Sequence, residues 1–171
     1  LQSGGWSIHW QGQKHGYASA TTILDGIHGF APEAQYQPMG CTADMQASKV
    51  IAVVGELPYA EFMGDSTKLN LTQTQRKMIT HCKSLGKQVI VVLISGRVMT
   101  VTDIINQSDA FIAAWLPGSE GAGVADFLFA ANGFIPVGKL PTSWPDQYED
   151  LPLAQDAEEA LYPFGFGLNK Y

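Results

Sequence analysis

The chain has 171 residues, 46% of them hydrophobic and 15% charged. That is the composition of one globular domain able to bury a core, not of a disordered or collagen-like chain. The formal net charge of -6 argues against a general electrostatic grip on nucleic acid and favours neutral ligands over polyanions.

The start, Leu1-Gln2-Ser3-Gly4-Gly5, has no methionine, basic head or apolar run, so it reads as a cut or processed end that carries no address. The longest apolar runs, 89–94 and 110–116, are far shorter than the roughly 20 residues that span a bilayer, so no membrane partner is expected. Residues 4–12, Gly-Gly-Trp-Ser-Ile-His-Trp-Gln-Gly, set Trp6 and Trp10 in a loop with glycine at both ends. Aromatic faces exposed by such a loop stack on the C–H faces of sugar rings, while the alternative is a pair of core tryptophans anchoring the loop.

Residues 21–28 have the apolar spacing of a helix, with Ser19 or Thr21 as N-cap and Gly29 near its end. The run 50–54, Val-Ile-Ala-Val-Val followed by Gly55, is the pattern of a strand buried on both faces. Next come three carboxylates, Glu56, Glu61 and Asp65, among Tyr59, Phe62 and Met63. A carboxyl desolvated by such neighbours stays protonated near neutrality, as a general acid must; the alternative is a solvated loop carboxylate or a helix cap.

Residues 72–85 read as an amphipathic helix with Met78, Ile79, Cys82 and Leu85 on one side and Gly86 as its stop. Residues 88–94 form the clearest strand, 102–107 a short helix, 110–116 a third buried strand and 123–130 a further helix. Residues 138–144 read as a final edge strand, because Pro141 cannot donate to a ladder. The alternation of strands and helices predicts an α/β sandwich with a mostly parallel sheet. Functional groups in such sheets gather beyond the carboxyl ends of the strands, here loops 55–65, 95–100 and 117–123.

Loop 117–123 follows a strand and opens a helix, but it lacks G-x-G-x-x-G spacing and carries Glu120, so Ser119 or Glu120 reads as a cap rather than part of a phosphate cradle. The four histidines, His9, His15, His28 and His81, form no H-x-H or H-E-x-x-H pair, so no metal is expected. Ser95 is not in a G-x-S-x-G elbow. Cys41 and Cys82 form no C-x-x-C motif and read as two unpaired, partly buried thiols, with a single disulfide left open.

Taken together, these segments resemble the carboxyl-terminal domain of glycoside hydrolase family three, the β-glucan exohydrolase and β-glucosidase type. The resemblance runs in order through GGWSIHWQG (4–12), TTILDGI (21–27), AVVGELPYAE (52–61), GD (64–65), LNL (69–71) and VVLISGR (91–97). It continues through AFIAAWLPGSEGAGVADFLF (110–129), GKLPTSWP (138–145) and YPFGFGL (162–168).

The resemblance implies a single three-layer α/β/α domain over 1–171 that belongs to a retaining exo-acting β-glucosidase, acts on β-glucan or gluco-oligosaccharide and needs no cofactor. It implies Glu61 as the general acid/base, Trp10 as a clamp on a glucosyl ring and Trp6 as a second aromatic whose role is less defined. The nucleophilic aspartate would come from an amino-terminal barrel domain, which this sequence lacks, so the chain alone is expected to be inactive. The family's apolar strand before the G-G-W segment is also missing, and the sheet is expected to be one strand short. A periplasmic or secreted location follows from the same resemblance. The alternatives are a non-catalytic carbohydrate-binding domain and, from another class, a flavodoxin-like nucleotide or signalling domain.

Overall fold

The computed structural model describes residues 2–12 and 19–168; Leu1 and His15 lie outside the described residues. Three strands, β1 (Lys49–Gly55), β2 (Gln88–Ile94) and β3 (Ala110–Trp115), form one parallel sheet in the order β1-β2-β3. Among the described residues four α-helices accompany them: α1 (Ile23–Phe30), α2 (Gln73–Ser84), α3 (Thr102–Gln107) and α4 (Ala122–Leu128).

Because side chains alternate across a strand, β2 divides its apolar residues between two cores. Val89, Val91 and Leu93 face a core with Ile79 and Cys82 of α2 and Ile104 of α3. Val92 and Ile94 face the opposite core, with Ile23 and Ile27 of α1 and Ala125 of α4. The three-layer α/β/α sandwich expected from the sequence is therefore present.

The two longest helices begin with capping boxes. The Thr22 hydroxyl accepts from Asp25 N at 3.0 Å and the Asp25 carboxylate accepts from Thr22 N at 2.8 Å; Thr72 and Gln75 repeat the exchange in α2. The cap of α1 is thus Thr22, not Ser19 or Thr21. Thr21 serves elsewhere, its hydroxyl accepting from Ala122 N at the start of α4 at 3.2 Å. Ser119 and Glu120 do not cap α4 as expected: Gly121 is the N-cap residue, and the Ser119 hydroxyl bonds to Glu120 Oε1. Gly86 ends α2 with φ 73°, a left-handed conformation that glycine adopts without strain.

Two further expectations need correction. Residues 138–144 form no strand. Leu140 N donates to Phe166 O and Trp144 N to Tyr162 O, and this short antiparallel pairing places Trp144 in the α2/α3-side core, its indole N–H donating to Met99 O at 2.7 Å. Between those two points Phe164 N donates to the Ser143 hydroxyl at 3.3 Å, so a side chain takes the place of the next rung of a backbone ladder. Cys41 and Cys82 are not free thiols but form a disulfide with a Cα–Cα distance of 5.2 Å, joining the segment before β1 to α2 across 41 residues. Closing a loop of that size stabilises a fold by about 2–4 kcal/mol. Cys41→Ser should lower the unfolding free energy by that order in urea titrations, and reductant should lower the wild-type protein to the same midpoint while leaving the variant unchanged.

Candidate active site

The carboxyl end of β1 turns on Gly55. A Cβ there would lie 1.8 Å from Ile94 O, so only glycine lets β1 and β2 end side by side. The chain then runs 56–60 and enters a 3-10 turn, Glu61–Gly64. Arg97, just past β2, fastens both ends of this loop. Its Nε and Nη2 donate to Glu56 Oε1 at 3.0 and 2.6 Å, and its Nη1 donates to Gly64 O at 2.6 Å. The guanidinium also lies over the Tyr59 ring, 4.6 Å from its centroid, a favourable cation–π placement. Tyr59 OH donates to Glu56 Oε2 at 3.3 Å. Burial first, and then the Glu56 carboxylate, push the Tyr59 phenol above its ordinary pKa, while Arg97 pulls it back.

Glu61 sits on this loop with φ 50°, a left-handed conformation uncommon for a residue with a side chain. A cleft of about 260 Å³ opens beside it, lined by Gly5, Trp6, Glu56, Tyr59, Glu61 and Leu116 among others. Leu116, which also lines it, follows Trp115, the end of β3, where φ is 53°. The structure therefore brings Trp6 and Glu61 to one place. Trp10 joins them through ring contacts, 6.4 Å from the Trp6 centroid and 5.9 Å from that of Phe62.

Trp6 is 70% exposed, Trp10 42% and Phe62 63%. They are open aromatic faces and not core anchors. Glu61 and Met63 are exposed too, so the aromatic and apolar neighbours expected to desolvate Glu61 do not enclose it. Of the other two carboxylates, Glu56 is taken up by Arg97 and Asp65 is exposed at the end of the turn.

Three contributors escaped sequence reasoning: Arg97, Gln11 and Leu116; Phe62 reads in the sequence as a neighbour of the carboxylates, and the structure adds its ring contact with Trp10. Gln11 adjoins Trp10 and clasps the backbone of Ala60, accepting from Ala60 N at 2.9 Å and donating to Ala60 O at 3.2 Å. Loop 117–123 offers no anion cradle, because the N–H groups of Gly121, Ala122, Gly123 and Val124 all bond to acceptors in the chain. Among the described residues no group of three or more His, Cys, Asp or Glu is arranged to hold a metal, and no helix is long and apolar enough to cross a membrane.

The sequence matches the glycosyl hydrolase family 3 C-terminal domain over residues 1–170. It is 33% identical over 152 residues to the periplasmic beta-glucosidase of Salmonella typhimurium, covering 74% of this chain and 20% of that protein. It is 36% identical over 117 residues to the xylan 1,4-beta-xylosidase of Xylanibacter ruminicola, covering 62% and 13%. The crystal structure of an exo-1,3/1,4-beta-glucanase from a Pseudoalteromonas species superposes with a TM-score of 0.83 at 36% identity, over 96% of this chain and 23% of that one. The chain thus spans about a fifth of the relatives' length.

Arg97 gives the loop its test. Arg97→Met should lower stability by about 1–3 kcal/mol, because it leaves the partly buried Glu56 carboxylate without its strongest partner. In a denaturation series, Arg97→Met/Glu56→Gln should recover most of that loss.

Proposed function

The chain belongs to glycosyl hydrolase family 3, as its C-terminal domain, and from that premise we propose that it supplies the general acid/base and an aromatic sugar clamp to a retaining exo-acting β-glucosidase. The observation that carries this reading is the convergence of Glu61 with Trp6, Trp10 and Phe62 beyond the carboxyl ends of a parallel sheet. Aromatic faces hold the apolar face of a glucosyl ring, and a carboxyl beside them is placed to exchange a proton with its glycosidic oxygen.

In a retaining mechanism two carboxyl groups stand roughly 5–5.5 Å apart across the scissile bond. Glu61 protonates the leaving oxygen as the nucleophile attacks the anomeric carbon. It then takes a proton from the water that releases the glycosyl-enzyme. The nucleophile in this reading is an aspartate of an amino-terminal barrel domain, so the 171-residue chain has no turnover of its own. Terminal β-linked glucose of β-glucans or oligosaccharides is the substrate. A periplasmic or secreted location is supported by the Cys41–Cys82 disulfide, since such bonds persist in oxidising compartments. A non-catalytic sugar-binding domain would use the same tryptophans but has no need of a carboxyl beside them, and Glu61 favours catalysis.

Two measurements on the full-length enzyme check the roles. Glu61→Ala should slow hydrolysis of alkyl or glucosyl leaving groups by roughly 10²–10⁴-fold while sparing aryl glucosides with acidic leaving groups, and azide should speed deglycosylation. Equal losses on every substrate without azide rescue would remove Glu61 from the role. Trp10→Ala should weaken oligosaccharide use by about tenfold, in line with stacking worth ~0.5–1.5 kcal/mol, with Tm nearly unchanged.

A further inference from the structure

Glu61 does not fix its own direction. It is exposed, its φ of 50° departs from the usual backbone regions, and the apolar side chains after it point into solvent. Its aim therefore depends on the residue before it. Ala60 is buried and extended, with φ -135° and ψ 149°, and both of its backbone polar groups pair with one side chain, the Gln11 amide. This two-point pairing is the kind one strand offers its neighbour, supplied here by a residue 49 positions away.

The same residue terminates the aromatic loop. Trp6 N donates to Trp10 O at 2.9 Å and Gly12 N donates to His9 O at 2.8 Å, so 6–12 is a closed, internally bonded turn with Gln11 inside it. The turn lies hard against the acid-bearing loop: a Cβ on Gly5 would come 2.0 Å from Tyr59 O, and one on Gly12 2.7 Å from Pro58 Cβ. Between these two close approaches Gln11 makes the polar connection.

We propose that Gln11 is a positioning residue for the acid/base, a splint that holds Trp10 and Glu61 at a fixed separation without itself touching the sugar. This rests on the reading of Glu61 as the acid/base. A carboxyl displaced by an ångström at the glycosidic oxygen loses rate steeply, whereas an activated aryl leaving group has little need of the proton. Gln11 thus acts on the reaction through the backbone of Ala60.

The test uses the full-length enzyme and the variants Gln11→Met, which keeps length but neither hydrogen bond, and Gln11→Glu, which keeps the acceptor for Ala60 N and loses the donor to Ala60 O. Expected is a roughly 10–100-fold fall in kcat for alkyl glucosides in Gln11→Met, with kcat for dinitrophenyl glucoside within about twofold of wild type. Gln11→Glu should fall between Gln11→Met and wild type. In a Glu61→Ala background the Gln11→Met substitution should cost nothing further on alkyl glucosides. Equal losses on both substrates, or additive losses in the double variant, would overturn the splint and leave Gln11 a structural residue. A Glu61→Ala enzyme with no dependence on the leaving group would instead overturn the acid/base assignment, and the splint with it. A Gln11→Met protein that unfolds is resolved by Gln11→Glu, whose alkyl-to-aryl rate ratio must drop below wild type for the proposal to stand.

Discussion

Val89, Val91, Val92, Leu93 and Ile94 have no exposed surface, and the rest of the fold answers to the need to cover both sides of that one strand. Fully burying such a side chain stabilises by about 1.5–3 kcal/mol. Leaving either face of β2 open would forfeit several of these contributions. A parallel arrangement meets half of the need, because the crossovers α2 and α3 lay their helices on one face, and the helices before β1 and after β3 supply the other. Here α2 and α3 lie on one side, and α1 and α4 on the other. The same arrangement sends every strand in one direction, so Gly55, Ile94 and Trp115 end on one rim. The site forms on that rim because three loops must leave the sheet there.

The rim is crowded, and it carries unusual backbone conformations. Gly55, Glu61 and Trp115 all have positive φ, and for residues with side chains such conformations cost on the order of 1–3 kcal/mol each. They persist where surrounding bonds overdetermine them. Ser95 N donates to Trp115 O at 3.2 Å, the Arg97 guanidinium holds Glu56 and the Gly64 carbonyl, and Gln75 donates to Gly55 O at 2.9 Å. Without these ties nothing would hold the loop away from ordinary backbone angles.

What the sequence discloses follows the range of the forces involved. The three strands and four helices are legible because periodicity and capping residues act within a few positions; Thr72 and Gln75 specify the start of α2 almost by themselves. The loops carrying the candidate site are legible from the strand ends. Pairings set by three-dimensional proximity are not. Nothing near Cys41 announces Cys82, because the bond depends on how the 31–48 segment returns across α2. Thr21 reads as a cap of the helix that follows it, yet it serves one whose first residue lies 101 positions later. The apolar letters around Glu61 imply desolvation, yet Phe62 and Met63 turn outward. A sequence run records which side chains are apolar but not which side of a 3-10 turn they occupy.

With Phe62 and Met63 turned outward, Glu61 stands at an open surface. A carboxyl that hands over a proton works best where water is excluded and the transferred charge is not screened. The described residues leave Glu61, Trp6, Trp10 and Phe62 open to solvent on one side, so this chain provides aim without enclosure. On the acid/base reading, enclosure comes from the sugar seated on the aromatic faces and from the domain that carries the nucleophile. The division is physically coherent. Direction requires stiff backbone, which the Arg97 and Gln11 ties supply, whereas excluding water requires a second surface to close over the first.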